Sequence, residues 1–178
     1  MNAPRRGSLR CAVVAAFLFV GGGAASAADP GAVAPQPFPV LRLPDLDLVQ
    51  HSLDEWRGSI IVLNFWASWC APCQSEIPTL VANQAKFGGR GLQIVGVGLD
   101  RTAPLRNVGR TLGVNYPILV ADPERQSEIL ARWGDAAGVI PYTVFIDRRG
   151  ATVYTHSGPL DRDELHERLS QLLAAPPD

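Results

Sequence analysis

Two cysteines, Cys70 and Cys73, stand in the stretch NFWASWCAPCQSEIP with only Ala71 and Pro72 between them. Sulfurs at this spacing can ligate a metal, close a small loop as a structural disulfide, or cycle between dithiol and disulfide. Haem attachment requires a histidine directly after the second cysteine, and Gln74 stands there instead. A zinc or copper site needs further soft or imidazole ligands. Only His51, His156 and His166 are on offer, none at ligand spacing to another, and His166 falls in the polar register of the last helix. A purely structural bridge over so short a loop adds little closure entropy. Redox cycling needs nothing beyond the two sulfurs, so no cofactor other than a redox-active Cys70–Cys73 disulfide and no resident metal is expected. A copper-carrying role stands as the alternative, although carriers of that kind usually space their cysteines by three residues.

The elements around the pair decide which sulfur attacks. SIIVLNFWA is a continuous apolar run, too short for a helix and rich in β-branched residues, which suits a strand buried on both faces. After the cysteines, Ile77, Leu80, Val81 and Ala85 fall at helical spacing, and FGGRG ends the helix. Cys70 therefore lies where a strand ends and a helix begins, beside unpaired amide hydrogens and the positive end of the helix dipole, which favour thiolate over thiol. Each pKa unit of depression from about 8.5 is worth about 1.4 kcal/mol. Cys73, one turn further on, is placed to resolve a mixed disulfide. Pro72 fits the first turn, where a missing amide hydrogen costs little.

The remainder supplies a frame. VLRLPDLDLVQHSLDEWRG reads as a small hairpin or edge strand closed by a turn at Gly58, LQIVGVGLD as a second buried strand, APLRNVGRTLG as a helix and YPILVAD as a short strand. PERQSEILARWG reads as a helix opened by Pro123 and closed by Gly134, and YTVFID with ATVYTH forms a hairpin around Arg148-Arg149-Gly150. LDRDELHERLSQLL is a closing helix that turns Leu165, Leu169, Leu172 and Leu173 to the core. The order implies an α/β domain over residues 38–175, with a mixed central sheet, helices on both faces and an N-terminal hairpin.

Ahead of that domain, Arg5, Arg6 and Arg10 precede the apolar segment CAVVAAFLFV and the small residues Ala25-Ser26-Ala27. This is the layout of an export signal over residues 1–27, cleaved before Ala28 or retained as a membrane anchor. RRGSLR partly fits a twin-arginine signal, but serine stands where that pattern prefers phenylalanine, so the export route is open. Residues 28–37 are rich in proline and small residues and read as a loose lead-in. Cleavage would leave thirteen basic against seventeen acidic side chains, a net charge of −4, and only the Cys70–Cys73 pair, in a compartment where disulfides persist. Without a basic run beyond the N-terminus, nucleic acid is excluded as a partner class. Membrane contact is expected only if the leader is retained.

These features together resemble the thioredoxin superfamily, and within it the exported TlpA/ResA-like branch. NFWASWCAPC matches the active-site segment, Pro78 the proline that kinks the active-site helix, and GVIPYTVFIDRRG the segment that carries a cis-proline at Pro141. The resemblance implies a thioredoxin-like fold, with Cys70 as nucleophile and Cys73 as resolving thiol. Pro141 would be the backbone platform for the client, with Trp69, Ala71, Pro72 and Ile140 forming the surface that meets it. Trp69 is equally open to a core-packing role. Cytoplasmic thioredoxins carry a buried aspartate where Asn64 stands, whereas Glu76 matches an acid of this branch and would tune the thiols; the alternative for Glu76 is an ordinary acid near the positive helix end. Peroxidase chemistry on this fold would call for a threonine-proline-cysteine loop that the sequence lacks. Strong oxidants in the superfamily place a histidine between the cysteines; Ala71-Pro72 carries no charge, which favours a more reducing pair. The expected activity is a thiol-disulfide reductase acting on specific client proteins, such as apocytochrome c or a copper-site protein, and re-reduced by a membrane electron donor. An oxidant or isomerase is the further alternative.

Overall fold

The computed structural model describes Met1 and residues 40–174, so the expected signal segment, the lead-in and the ends of the expected domain lie outside the described residues. A two-stranded antiparallel hairpin comes first, β1 (Arg42–Pro44) with β2 (Gln50–Ser52). Its turn is closed by Asp45, whose Oδ1 accepts the amides of Asp47 and Val49. A 3-10 turn at Leu53–Trp56, absent from the sequence-based expectation, follows with Ser52 and Glu55 as a reciprocal capping box. Gly58, at φ 86°, then makes the expected turn.

The main sheet has five strands in the order β5-β4-β3-β6-β7. Strands β3 (Ile60–Trp66), β4 (Leu92–Gly98) and β5 (Ile118–Val120) are parallel, and β6 (Tyr142–Ile146) and β7 (Thr152–Ser157) continue the sheet antiparallel. All seven residues of β3 are buried, as its β-branched run requires of a central strand covered on both faces. One face carries Ile61, Leu63, Phe65, Val95 and Val144 under the hairpin residues Leu41 and Leu53 and under Leu130 of α3 (Gln126–Arg132). The other carries Ile60, Val62, Ile94 and Phe145 under α1 (Ala71–Phe87) and α4 (Arg162–Ala174). Leu105 of α2 (Thr102–Thr111) closes over Trp66 and Ile118 on that same side.

Three details depart from the sequence reading. In α1 the buried stripe runs through Cys73, Glu76, Ile77, Leu80, Asn83 and Phe87, in steps of mostly three and four residues, and leaves Ala85 exposed. Pro123 opens a 3-10 turn, Pro123–Arg125, and α3 proper begins only at Gln126. In α4, Leu165 and Leu169 are buried, each worth about 1.5–3 kcal/mol of transfer free energy, whereas Leu172 and Leu173 are only partly covered.

Candidate functional site

β3 delivers the chain through Ala67, Ser68 and Trp69 to Cys70, the N-cap of α1. The two sulfurs are joined, with S–S at 2.06 Å and the Cα atoms 5.3 Å apart. Cys70 Sγ accepts the Cys73 amide at 3.3 Å, so the sulfur takes the place that a capping oxygen usually fills and meets the unpaired amides of the first turn. Cys73 is fully buried and Cys70 is 5% exposed. Ala71 and Pro72 are both exposed, and Pro72 lies in the first turn of α1. Gln74 braces the approach by donating from Nε2 to the Ser68 carbonyl at 2.6 Å, while the Ser68 hydroxyl donates to Asp100, two residues past the end of β4.

Across from the pair, Ile140–Pro141 is a cis peptide bond, and the Ile140 carbonyl oxygen lies 3.9 Å from Cys70 Sγ. Trp69 is 66% exposed and does not pack in the core; the buried tryptophan is Trp66. Val139, just before Ile140, is likewise exposed, so apolar surface adjoins both Cys70 and Pro141.

Glu76 is buried on α1. One carboxylate oxygen accepts from Asn64 Nδ2 at 2.7 Å and the other from the Leu160 amide at 2.9 Å. Burial pushes its pKa up, opposed by these two hydrogen bonds and by the charge of His156. Asn64 also donates to Thr143 Oγ1 at 3.0 Å, and its Oδ1 is buried with no hydrogen-bond partner among the described residues. Asn64 in an otherwise apolar strand is itself a sequence signal for a buried partner; Thr143 and the Leu160 amide gave none, because they arrive from 79 and 84 residues away from Asn64 and Glu76 respectively. Among the described residues there is no group of three His, Cys, Asp or Glu that could hold a metal ion, and no helix is long and apolar enough to cross a membrane.

A family model described as the AhpC/TSA family matches residues 34–155. The chain belongs to that family. It is 32% identical over 154 residues to the thiol:disulfide interchange protein HelX of Rhodobacter capsulatus, covering 85% of this chain and 83% of that protein. It is 29% identical over 133 residues to the thiol-disulfide oxidoreductase ResA of Geobacillus thermodenitrificans, covering 73% and 72% of the two. A solved thiol:disulfide interchange protein of the thioredoxin family from Chlorobium tepidum superposes with a TM-score of 0.68 at 28% identity, over 80% of this chain and 99% of that one. The family member described here has the thioredoxin-like fold and is a thiol-disulfide oxidoreductase.

Proposed function

We propose that this oxidoreductase works outside the cytoplasm as a reductase of specific protein disulfides. The observation that carries the reading is the Cys70–Cys73 pair at the β3–α1 junction, with the uncharged Ala71-Pro72 between its members. In the reduced protein, the Cys70 thiolate attacks one sulfur of a client disulfide, forming a mixed disulfide and releasing the other client sulfur as a thiolate. The Cys73 thiolate then attacks Cys70 Sγ, the mixed bond breaks and the client leaves with both sulfurs reduced. Two electrons have passed to the client, and the Cys70–Cys73 disulfide remains. A membrane-borne dithiol donor would restore the pair.

The helix N-terminus stabilises the Cys70 thiolate, but no histidine or other cation intervenes between the cysteines, so the reduced form lacks the extra stabilisation that makes a strong oxidant. Glu76 supplies a buried carboxyl on the same helix for tuning the thiols, and the cis-proline segment at Ile140–Pro141 offers backbone to an extended client next to Cys70. Trp69, Ala71 and Pro72 form the exposed side of that contact. Clients of the kind the TlpA/ResA-like branch serves, the haem-binding cysteines of apocytochrome c or a copper-site dithiol, fit this chemistry. Residues 1–27 act as the export signal in this scheme.

Equilibration with glutathione measures the potential, and a value near those of strong disulfide oxidants, about −120 mV, sinks the reductase reading. Replacing Cys73→Ser should trap the client on Cys70 as a mixed disulfide whose identification names the substrate.

A further inference from the structure

Across the sheet, Asn64 of β3 pairs with Thr143 of β6, and Thr143 pairs with His156 of β7. Directly paired residues share a face, so these three form a single polar row on the face that α1 covers, where Glu76 hangs above Asn64. Besides His156, the titratable group that Glu76 acts on is the buried Tyr116, whose pKa its charge helps to raise; Glu76 hydrogen-bonds Asn64 and the Leu160 amide, not His156. Between Glu76 and His156 lies one peptide group: the His156 Nε2 faces the Pro159 carbonyl oxygen at 3.3 Å, and the amide joined to that carbonyl is that of Leu160, which donates to Glu76 Oε2. Drawing on the oxygen of an amide polarises its N–H, because the two ends share one delocalised system; the hydrogen bond at the far end strengthens.

The other side of His156 is also defined. Its Nδ1 lies 3.2 Å from Glu164 Oε1 of α4, and Tyr154 donates to the same oxygen at 2.5 Å. Arg168 of α4 sits 4.1 Å over the Tyr154 ring. Nδ1 thus meets the Tyr154 hydroxyl, 3.4 Å away, and the Glu164 carboxylate, while Nε2 meets the Pro159 carbonyl.

We propose that His156 is a positioning residue for Glu76, acting through the peptide that joins Pro159 to Leu160. The proposal deepens the reading that Glu76 tunes the thiols and rests on it for its functional meaning. Removing the ring weakens the Leu160 hydrogen bond and takes away a favourable charge, and both changes disfavour the ionised carboxyl.

The test follows the Glu76 carboxyl by NMR in exported protein carrying isotope-labelled glutamate. With His156→Phe, ionisation of Glu76 should move to higher pH by roughly half a unit or more, about threefold in its acid constant. If that variant does not fold, His156→Gln keeps an amide donor for Pro159 but carries no charge, and should give a smaller shift of the same sign. An unchanged Glu76 titration in a folded variant overturns the proposal. In a Glu76→Gln background, the pH profile of Cys70 reactivity should not respond to His156→Phe; a full further shift there means that His156 reaches the thiols by another route, and also overturns it. If Glu76→Gln alone leaves the thiol profile untouched, the tuning role fails, while the carboxyl titration still decides the relay.

Discussion

Glu76 and Asn64, twelve residues apart in sequence, meet at 2.7 Å beneath the active-site helix, so the helix that carries the cysteines is tied to the central strand by a carboxylate and an amide. Because burial raises the Glu76 pKa, its charge works against the fold. The unfolded chain titrates this group at about 4.3. Its contribution to stability is fully present below that value and declines as the pH rises through the higher folded value. Glu76→Gln should flatten this decline, with the new amide oxygen taking the place of Oε2 as acceptor for the Leu160 amide, and urea unfolding at several pH values reads it directly.

Asn64→Asp would set a second carboxyl against Glu76. Two carboxyls at hydrogen-bond distance share one proton, and the second ionisation is pushed up. The variant should be about 1–3 kcal/mol less stable than the parent at neutral pH and should recover most of that difference below about pH 5. Equal destabilisation at both pH values would show that the two side chains do not couple.

Gly98 ends β4 against α2. A Cβ there would press well inside van der Waals contact on both methyl carbons of Leu105, which is fully buried and has little room to retreat. Gly98→Ala should cost about 1–3 kcal/mol by overpacking, seen as a lower urea midpoint, and Leu105→Ala in the same chain should relieve part of the clash while opening its own cavity.

Trp69→Ala should change stability by no more than about 0.5 kcal/mol, since the ring is mostly in solvent. Its effect is expected on the client reaction: slower formation of the mixed disulfide trapped with Cys73→Ser, with an unaltered redox potential. Loss of stability without loss of trapping rate would return Trp69 to a packing role.

Much of this architecture can be read from local pattern. The run Ile60–Trp66 announces a central strand because nothing but burial on both faces suits it, and the pair at its end announces the chemistry. Where pattern fails, the deciding contact is distant. Ala85 has the right type and nearly the right spacing for the core, but the stripe of α1 is set by what the sheet and α4 present, and it selects the polar Asn83 and then Phe87 instead. Likewise Glu76 looks like a helix-start acid until the Leu160 amide, 84 residues later, is placed beside it. The cis bond at Ile140–Pro141 was legible only through the resemblance, since the residues GVIPYT alone do not distinguish the isomers.

The near-complete burial of both sulfurs has a consequence for what can be a client. With Cys73 closed off and Cys70 open over only a sliver of its surface, the protein cannot extend a sulfur toward a rigid partner. In the proposed reaction, a client would reach Cys70 by laying a pliable strand beside the Ile140 carbonyl, 3.9 Å from Cys70 Sγ. Under the proposed reductase reading, such a pair would favour proteins whose cysteines still lie on slack chain over those already complete.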